Sequence, residues 1–117
     1  MRNDEEWLLD ILEAIEKIEK YSSRGYINFR EDELLQVWVI HYLQVIGEAS
    51  NHLSKSLMDR NPDVPWADIV GLRNILVHQY FGIDLGRVWE TVELYLSSLK
   101  RRVKEILADF ERIPESN

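Results

Sequence analysis

The stretch Leu72-Arg73-Asn74-Ile75-Leu76-Val77-His78-Gln79-Tyr80 sets an arginine, a histidine and a tyrosine into an otherwise apolar run. Read as a helix from Trp66 to about Tyr80, at roughly 100° per residue, it places Ile69, Val70, Leu72, Leu76 and Val77 on one broad apolar arc. Arg73 falls in the middle of that arc, and Tyr80, seven residues on, is nearly in register with it. His78 and Asn74, four apart, sit on a different face, roughly 140° and 100° round from Arg73. An unpaired arginine inside an apolar arc costs several kcal/mol, so Arg73 requires an anionic partner or a cleft. Arg73 and His78 cannot both address one small target from a single regular helix. The site must bend at the helix end, or a second copy of the chain must complete it.

Outward from this stretch the pattern is helical throughout. Upstream, Asn61-Pro62-Asp63-Val64-Pro65 is the clearest loop, and Pro65 suits the first turn of the motif helix. Before it, a long helix is expected from about Asp32 to Asp59, with a core stripe of Leu35, Trp38, Tyr42, Val45 or Ile46, Ala49, Leu53 and Leu57. Gly47 inside that helix costs about 1 kcal/mol relative to alanine, which points to a close backbone approach there. His41, Gln44 and Glu48 follow at spacings of three and four as a polar stripe beside the core. That stripe either faces the motif helix, with Glu48 pairing Arg73, or is a solvated face.

The N-terminal segment reads as an amphipathic helix to about Tyr21. Asn3 or Asp4 caps it, and Glu6 stands in capping-box spacing from Asn3. Ser22-Ser23-Arg24-Gly25 is a turn, and Tyr26, Ile27 and Phe29 are too few for a sheet in a helical chain. Downstream of the motif, Phe81-Gly82-Ile83-Asp84 stops one helix, and Asp84 caps the last. Its stripe runs from Leu85 through Val88, Trp89, Val92, Leu96, Leu99, Val103 and Ile106 to Phe110. The expected architecture is an all-α, antiparallel bundle of four to five helices, one domain over residues 1–117.

Composition narrows the chemistry. The chain has no cysteine, so disulfide and thiolate chemistry are excluded, consistent with a reducing cytoplasm. The N-terminus lacks the apolar core of a signal peptide, and no run approaches membrane-spanning length, so no membrane partner is expected. His41, His52 and His78 lack zinc-site spacing, and there is no His-Glu-x-x-His pattern or glycine-rich phosphate loop; neither metal nor cofactor is called for. A net charge of −7 argues against holding nucleic acid mainly by phosphate neutralisation. The cluster Lys100-Arg101-Arg102 with Lys104 is ordinarily a solvated face, but it is the best candidate for additional RNA or partner contact.

The residues of the motif carry a specific chemistry. His78 can hold either proton state near neutral pH and is the one plausible general acid or base there. Arg73 can grip a phosphate with two prongs and stabilise charge on a pentacovalent transition state. Asn74 is placed to hydrogen-bond the histidine ring or a phosphate. Each also has a plain structural reading: a helix-end dipole contact, half of an ion pair, a core tyrosine.

The spacing Arg-x4-His-x-Tyr, in the context Gly-Leu-Arg-Asn-Ile-Leu-Val-His-Gln-Tyr-Phe-Gly-Ile-Asp (residues 71–84), closely resembles the HEPN superfamily, within it the HepT-like toxin branch. The similarity extends to Val45-Ile46-Gly47-Glu48-Ala49, to Pro65-Trp66 and to the segment from Asp84 to Leu99. The resemblance implies a small all-helical, homodimeric, metal-independent endoribonuclease toxin, with Arg73 and His78 catalytic and RNA as substrate. It further implies a minimal nucleotidyltransferase antitoxin that adenylylates Tyr80. The alternative is a non-catalytic helical subunit that binds a nucleotidyltransferase or its nucleotide.

Overall fold

A computed structural model describes residues 2–78 and 84–112, apart from the side chains of residues 74–78 and 112. The described residues form six helices and no strand: α1 (Asp4–Ser22), α2 (Gly25–Glu31), α3 (Glu33–Asn51), α4 (Lys55–Arg60), α5 (Trp66–His78) and α6 (Leu85–Arg112). The all-α expectation holds, but the four to five helices become six. The expected Asp32–Asp59 helix is two. His52 ends α3, and the Ser54 hydroxyl caps α4 by accepting from Leu57 N–H at 3.1 Å. Ser54 is in turn held by Asp4, whose carboxylate accepts from its N–H at 2.9 Å and its hydroxyl at 2.6 Å. The longest helix is therefore α6, with 28 residues.

The helix ends follow local chemistry. Asn3 and Glu6 form the reciprocal capping box, which satisfies two N–H donors that the first turn leaves free. Asp32 caps α3 through Leu35 N–H, and Asp84 caps α6 through Arg87 N–H. Helix α5 starts at Trp66 as expected, with the carbonyl of Pro65 just before it accepting from Ile69 N–H. After the turn at Ser22–Arg24 the chain re-enters a short helix, α2, starting at Gly25 with φ +88°, a left-handed conformation that a residue with a Cβ rarely adopts. Phe29 from α2 is fully buried and lies against Trp89 of α6 at 5.3 Å between ring centroids.

Helix α1 lies between α3 and α6 and runs antiparallel to both. Toward its end the Lys17 carbonyl accepts from Trp38 Nε1 of α3 at 2.8 Å, while near its start Trp7 stacks on His52 just past α3. On the other side Glu19 meets Lys100, and Ser22 lies across from Trp89 and Val92. Leu8, Ile11, Ile15 and Ile18 of α1 are completely buried between them. At ~1.5–3 kcal/mol per large apolar side chain, this stripe supplies much of the driving force. Helix α3 packs on α1 and α5, so it buries more than one stripe. Val39 and Leu43, outside the expected seam, are buried, while Trp38, Tyr42 and Val45 from that seam are only partly buried.

Two members of the basic cluster of α6 are struts, while Arg101 and Lys104 stay exposed. Lys100 donates to Glu19 at 2.7 Å, tying α6 to α1. Arg102 makes a two-pronged contact with Asp63, at 2.7 and 3.2 Å, and donates to Asn61 at 2.9 Å. Asn61 also accepts from Trp66 Nε1 through its backbone carbonyl, so Arg102, by holding the Asn61 side-chain oxygen, fixes the loop that launches α5. The hydrogen bond from Arg102 holds the Asp63 carboxyl below its ordinary pKa. A carboxyl depressed in the folded state stabilises above its unfolded pKa, and that stabilisation is lost as pH falls through the folded value. Asp63→Asn will therefore lower the urea midpoint near neutrality, and the difference from wild type will shrink as pH falls below the ordinary carboxylate range, flattening the acid limb of the stability profile.

Candidate functional site

The site is built where α3 and α5 cross. Gly47 lies directly under α5: a Cβ there would fall 2.6 Å from the backbone nitrogen of Arg73 and 3.1 Å from the Ile69 carbonyl oxygen. The absence of a side chain lets the two backbones meet, as a glycine in mid-helix suggests. The contact sets Arg73 beside Glu48, the residue after Gly47. Arg73 Nη1 stands 3.5 Å from Glu48 Oε2, with 36% of the arginine side chain and 53% of the glutamate exposed. Of the two readings of the polar stripe, Glu48 takes the one that faces the motif helix. Arg73 has its anionic partner and remains at the surface, so it avoids the full cost of a buried ion.

Glu48 has a second partner. Its Oε1 lies 3.2 Å from His52 Nε2, one helical turn on. The imidazole is stacked on the Trp7 indole at 4.3 Å and 10°, and the Arg2 guanidinium lies over the same indole at 4.1 Å. Sequence reading weighs His52 only as a zinc ligand. The available signal was the four-residue spacing of Glu48 and His52, which puts an acid and an imidazole on one helical face.

His78 is the last residue of α5, and Asn74 lies one turn before it. The side chains of both, and Tyr80 entirely, lie outside the described residues. Around α5 from Arg73, the face bearing Pro65, Asp68, Ile69 and Leu72 turns toward α6. There it walls a groove of about 580 Å3 that Tyr95 and Arg101 line from the other side. On α3 the stripe containing Glu48 continues back through Gln44 and His41 to Val37 and Leu34, which are 61% and 82% exposed.

Among the described residues no helix is long and apolar enough to cross a membrane. Chemically, the α3–α5 crossing presents a surface guanidinium that, among the described residues, is held by one exposed carboxylate at ion-pair distance. Such a group can exchange its carboxylate for a phosphate.

Comparison with known proteins places the chain in a family. The family model described as "Ribonuclease HepT-like" matches residues 11–106. The chain is 36% identical over 104 residues to "Putative RNase MJ1380" of Methanocaldococcus jannaschii, covering 88% of this chain and 95% of that protein. It is 32% identical over 117 residues to "Putative RNase MJ1216" of the same organism, covering 99% and 97%. It is 35% identical over 106 residues to "Probable ribonuclease HepT" of Thermococcus cleftensis, covering 90% and 96%. No solved structure is matched. With its family match spanning both the Gly47 crossing and the Arg73 motif, the chain belongs to the HepT-like ribonuclease family.

Proposed function

We propose that the protein is a metal-independent endoribonuclease, the toxin of a toxin–antitoxin pair, acting as a homodimer through Arg73 and His78. The observation that carries this reading is the surface guanidinium of Arg73, positioned by the Gly47 crossing five residues before His78, at the end of the same helix. In RNA the 2′-hydroxyl is an internal nucleophile. It attacks the adjacent phosphorus, the bond to the 5′-oxygen breaks, and a cyclic phosphate and a free 5′-hydroxyl result. His78 moves protons for this step, Arg73 stabilises the charge on the pentacovalent phosphorus, and Asn74 supports the ring or the phosphate. Glu48 holds Arg73 until the phosphate arrives.

Helix periodicity together with the surface supports the homodimer. Five residues apart, Arg73 and His78 are expected on different faces of a regular helix, and each chain supplies one such histidine for a reaction that uses both a base and an acid. The exposed stripe of Leu34 and Val37, continuous with His41, Gln44 and Glu48, supplies an apolar seam that leads to Arg73. The partner of the pair is a minimal nucleotidyltransferase, and Tyr80 is its acceptor. Two residues from His78, a bulky anionic adenylyl group would obstruct the site.

One observation favours a second reading, a non-catalytic subunit that binds a nucleotidyltransferase or its nucleotide. The chain carries a net charge of −7, and Lys100 and Arg102 of its basic cluster are committed to Glu19 and Asp63. The test is intact mass after co-expression with the neighbouring gene, beside an RNA-cleavage assay in EDTA. Added adenylyl mass on Tyr80, with cleavage only by unmodified protein, is the expected result. No added mass and no cleavage at any concentration would leave the binding-subunit reading.

A further inference from the structure

We propose that His52 is a positioning residue for Arg73, acting through Glu48. The inference deepens the reading of Arg73 as the phosphate-binding group and rests on it. A carboxylate can only accept hydrogen bonds, so in the 3.2 Å contact His52 Nε2 carries the proton and donates to Glu48 Oε1. That assigns one oxygen of Glu48 to His52 and leaves the other, Oε2, for Arg73 at 3.5 Å. Glu48 is more than half exposed, and a surface glutamate samples many rotamers unless something fixes it.

His52 can fix it because its own ring is held. Trp7 covers one face at 4.3 Å and is nearly parallel to it. Two residues on, Ser54 is anchored to Asp4 through both its N–H and its hydroxyl. The corner between α3 and α4 is thus tied to the first two turns of α1 on both sides of His52. A chain of direct contacts runs from Trp7 through His52 and Glu48 to Arg73. Its consequence is a guanidinium kept in one orientation at the surface, ready to exchange a weakly held carboxylate for a phosphate. His52 touches neither substrate nor reacting atoms in this scheme.

The test is a double-mutant cycle with two readouts: RNA cleavage, and the NMR signal of the Arg73 side-chain Nε–H. His52→Ala is expected to lower kcat/KM by about two- to five-fold, the worth of one exposed charged contact, and to broaden or average the Arg73 signal. His52→Gln, which can still donate to Glu48, restores both. In a Glu48→Ala background, His52→Ala has no further effect, because the two act through one contact. Unchanged cleavage and an unchanged Arg73 signal in folded His52→Ala would overturn the proposal, as would equal losses with and without Glu48. If the wild type cleaves no RNA, the ribonuclease reading fails, and the Arg73 signal in the same variants still decides whether His52 positions it.

Discussion

Replacing Gly47 with valine is expected to lower the thermal midpoint by roughly 10 °C, from overpacking worth about 3 kcal/mol at the α3–α5 crossing. The atom that a new Cβ meets first is the backbone nitrogen of Arg73, at 2.6 Å. A flexible side chain could swing aside; a backbone nitrogen inside a helix cannot, so α5 itself must move. Gly47→Ala sets two effects against each other, since alanine favours the helix by about 1 kcal/mol over glycine. A Cβ only 2.6 Å from backbone outweighs that gain, and a smaller loss than for valine is expected. Gly71, in the middle of α5, is the matched control. Among the described residues nothing lies within 4 Å of a Cβ built there. Gly71→Ala is therefore expected to raise stability by about 0.5–1 kcal/mol. Thermal unfolding of the variants by circular dichroism checks the signs. A Gly47→Val protein as stable as the wild type would mean that the two helices do not meet there. Displacing α5 also separates Arg73 from Glu48, so cleavage is expected to fall further than stability alone explains.

Gly47 shows how much a sequence can disclose. A glycine in a helical apolar pattern costs stability, and close backbone approach is the ordinary compensation, so the crossing was legible before its partner was known. The same holds for the capping box at Asn3 and Glu6 and for the cap at Asp84, where donor and acceptor are three residues apart. The break after Asn51 was hidden because it depends on Asp4, 50 residues from Ser54, which anchors the new cap. Sequence reading took Lys100-Arg101-Arg102 with Lys104 as ordinarily a solvated face, and could not show that Lys100 and Arg102 are paired with Glu19 and Asp63, 81 and 39 residues away. Local periodicity cannot show such pairs. Val39 and Leu43 were missed for a related reason: a helix covered on two sides buries two stripes, and a single-seam reading finds one. At the site, residue type and spacing showed that Arg73 needs an anionic partner or a cleft and offered Glu48 as that partner in one of two readings of its stripe; the ion pair is what the fold adds. The hold of His52 on Glu48 was overlooked because Trp7, which fixes the imidazole, belongs to another helix.

His78→Ala is expected to reduce RNA cleavage by about 10²–10⁴-fold, the range for removing a positioned general acid or base. Wild-type activity is expected to survive EDTA, since the 2′-hydroxyl supplies the nucleophile. Arg73→Ala should cost about 10²–10³-fold, and Arg73→Lys should recover little, because an ammonium cannot grip two phosphate oxygens in a planar fork. The number of histidines used per cut can be read by mixing wild type with His78→Ala protein under conditions of subunit exchange. If the two protomers share one reaction, with one His78 as base and the other as acid, only wild-type pairs are fully active. Activity then falls as the square of the wild-type fraction. If each chain works alone, taking a proton and returning it through the same imidazole, activity falls in direct proportion. A linear decline would remove the chemical argument for a shared site, while a quadratic decline would tie the dimer to the reaction itself. The α3 stripe gives an independent handle, because Leu34→Asp and Val37→Asp place charge on its exposed apolar end without touching Arg73. Under the shared-site scheme those changes lower activity at low protein concentration and spare it at high concentration, where mass action restores the pair.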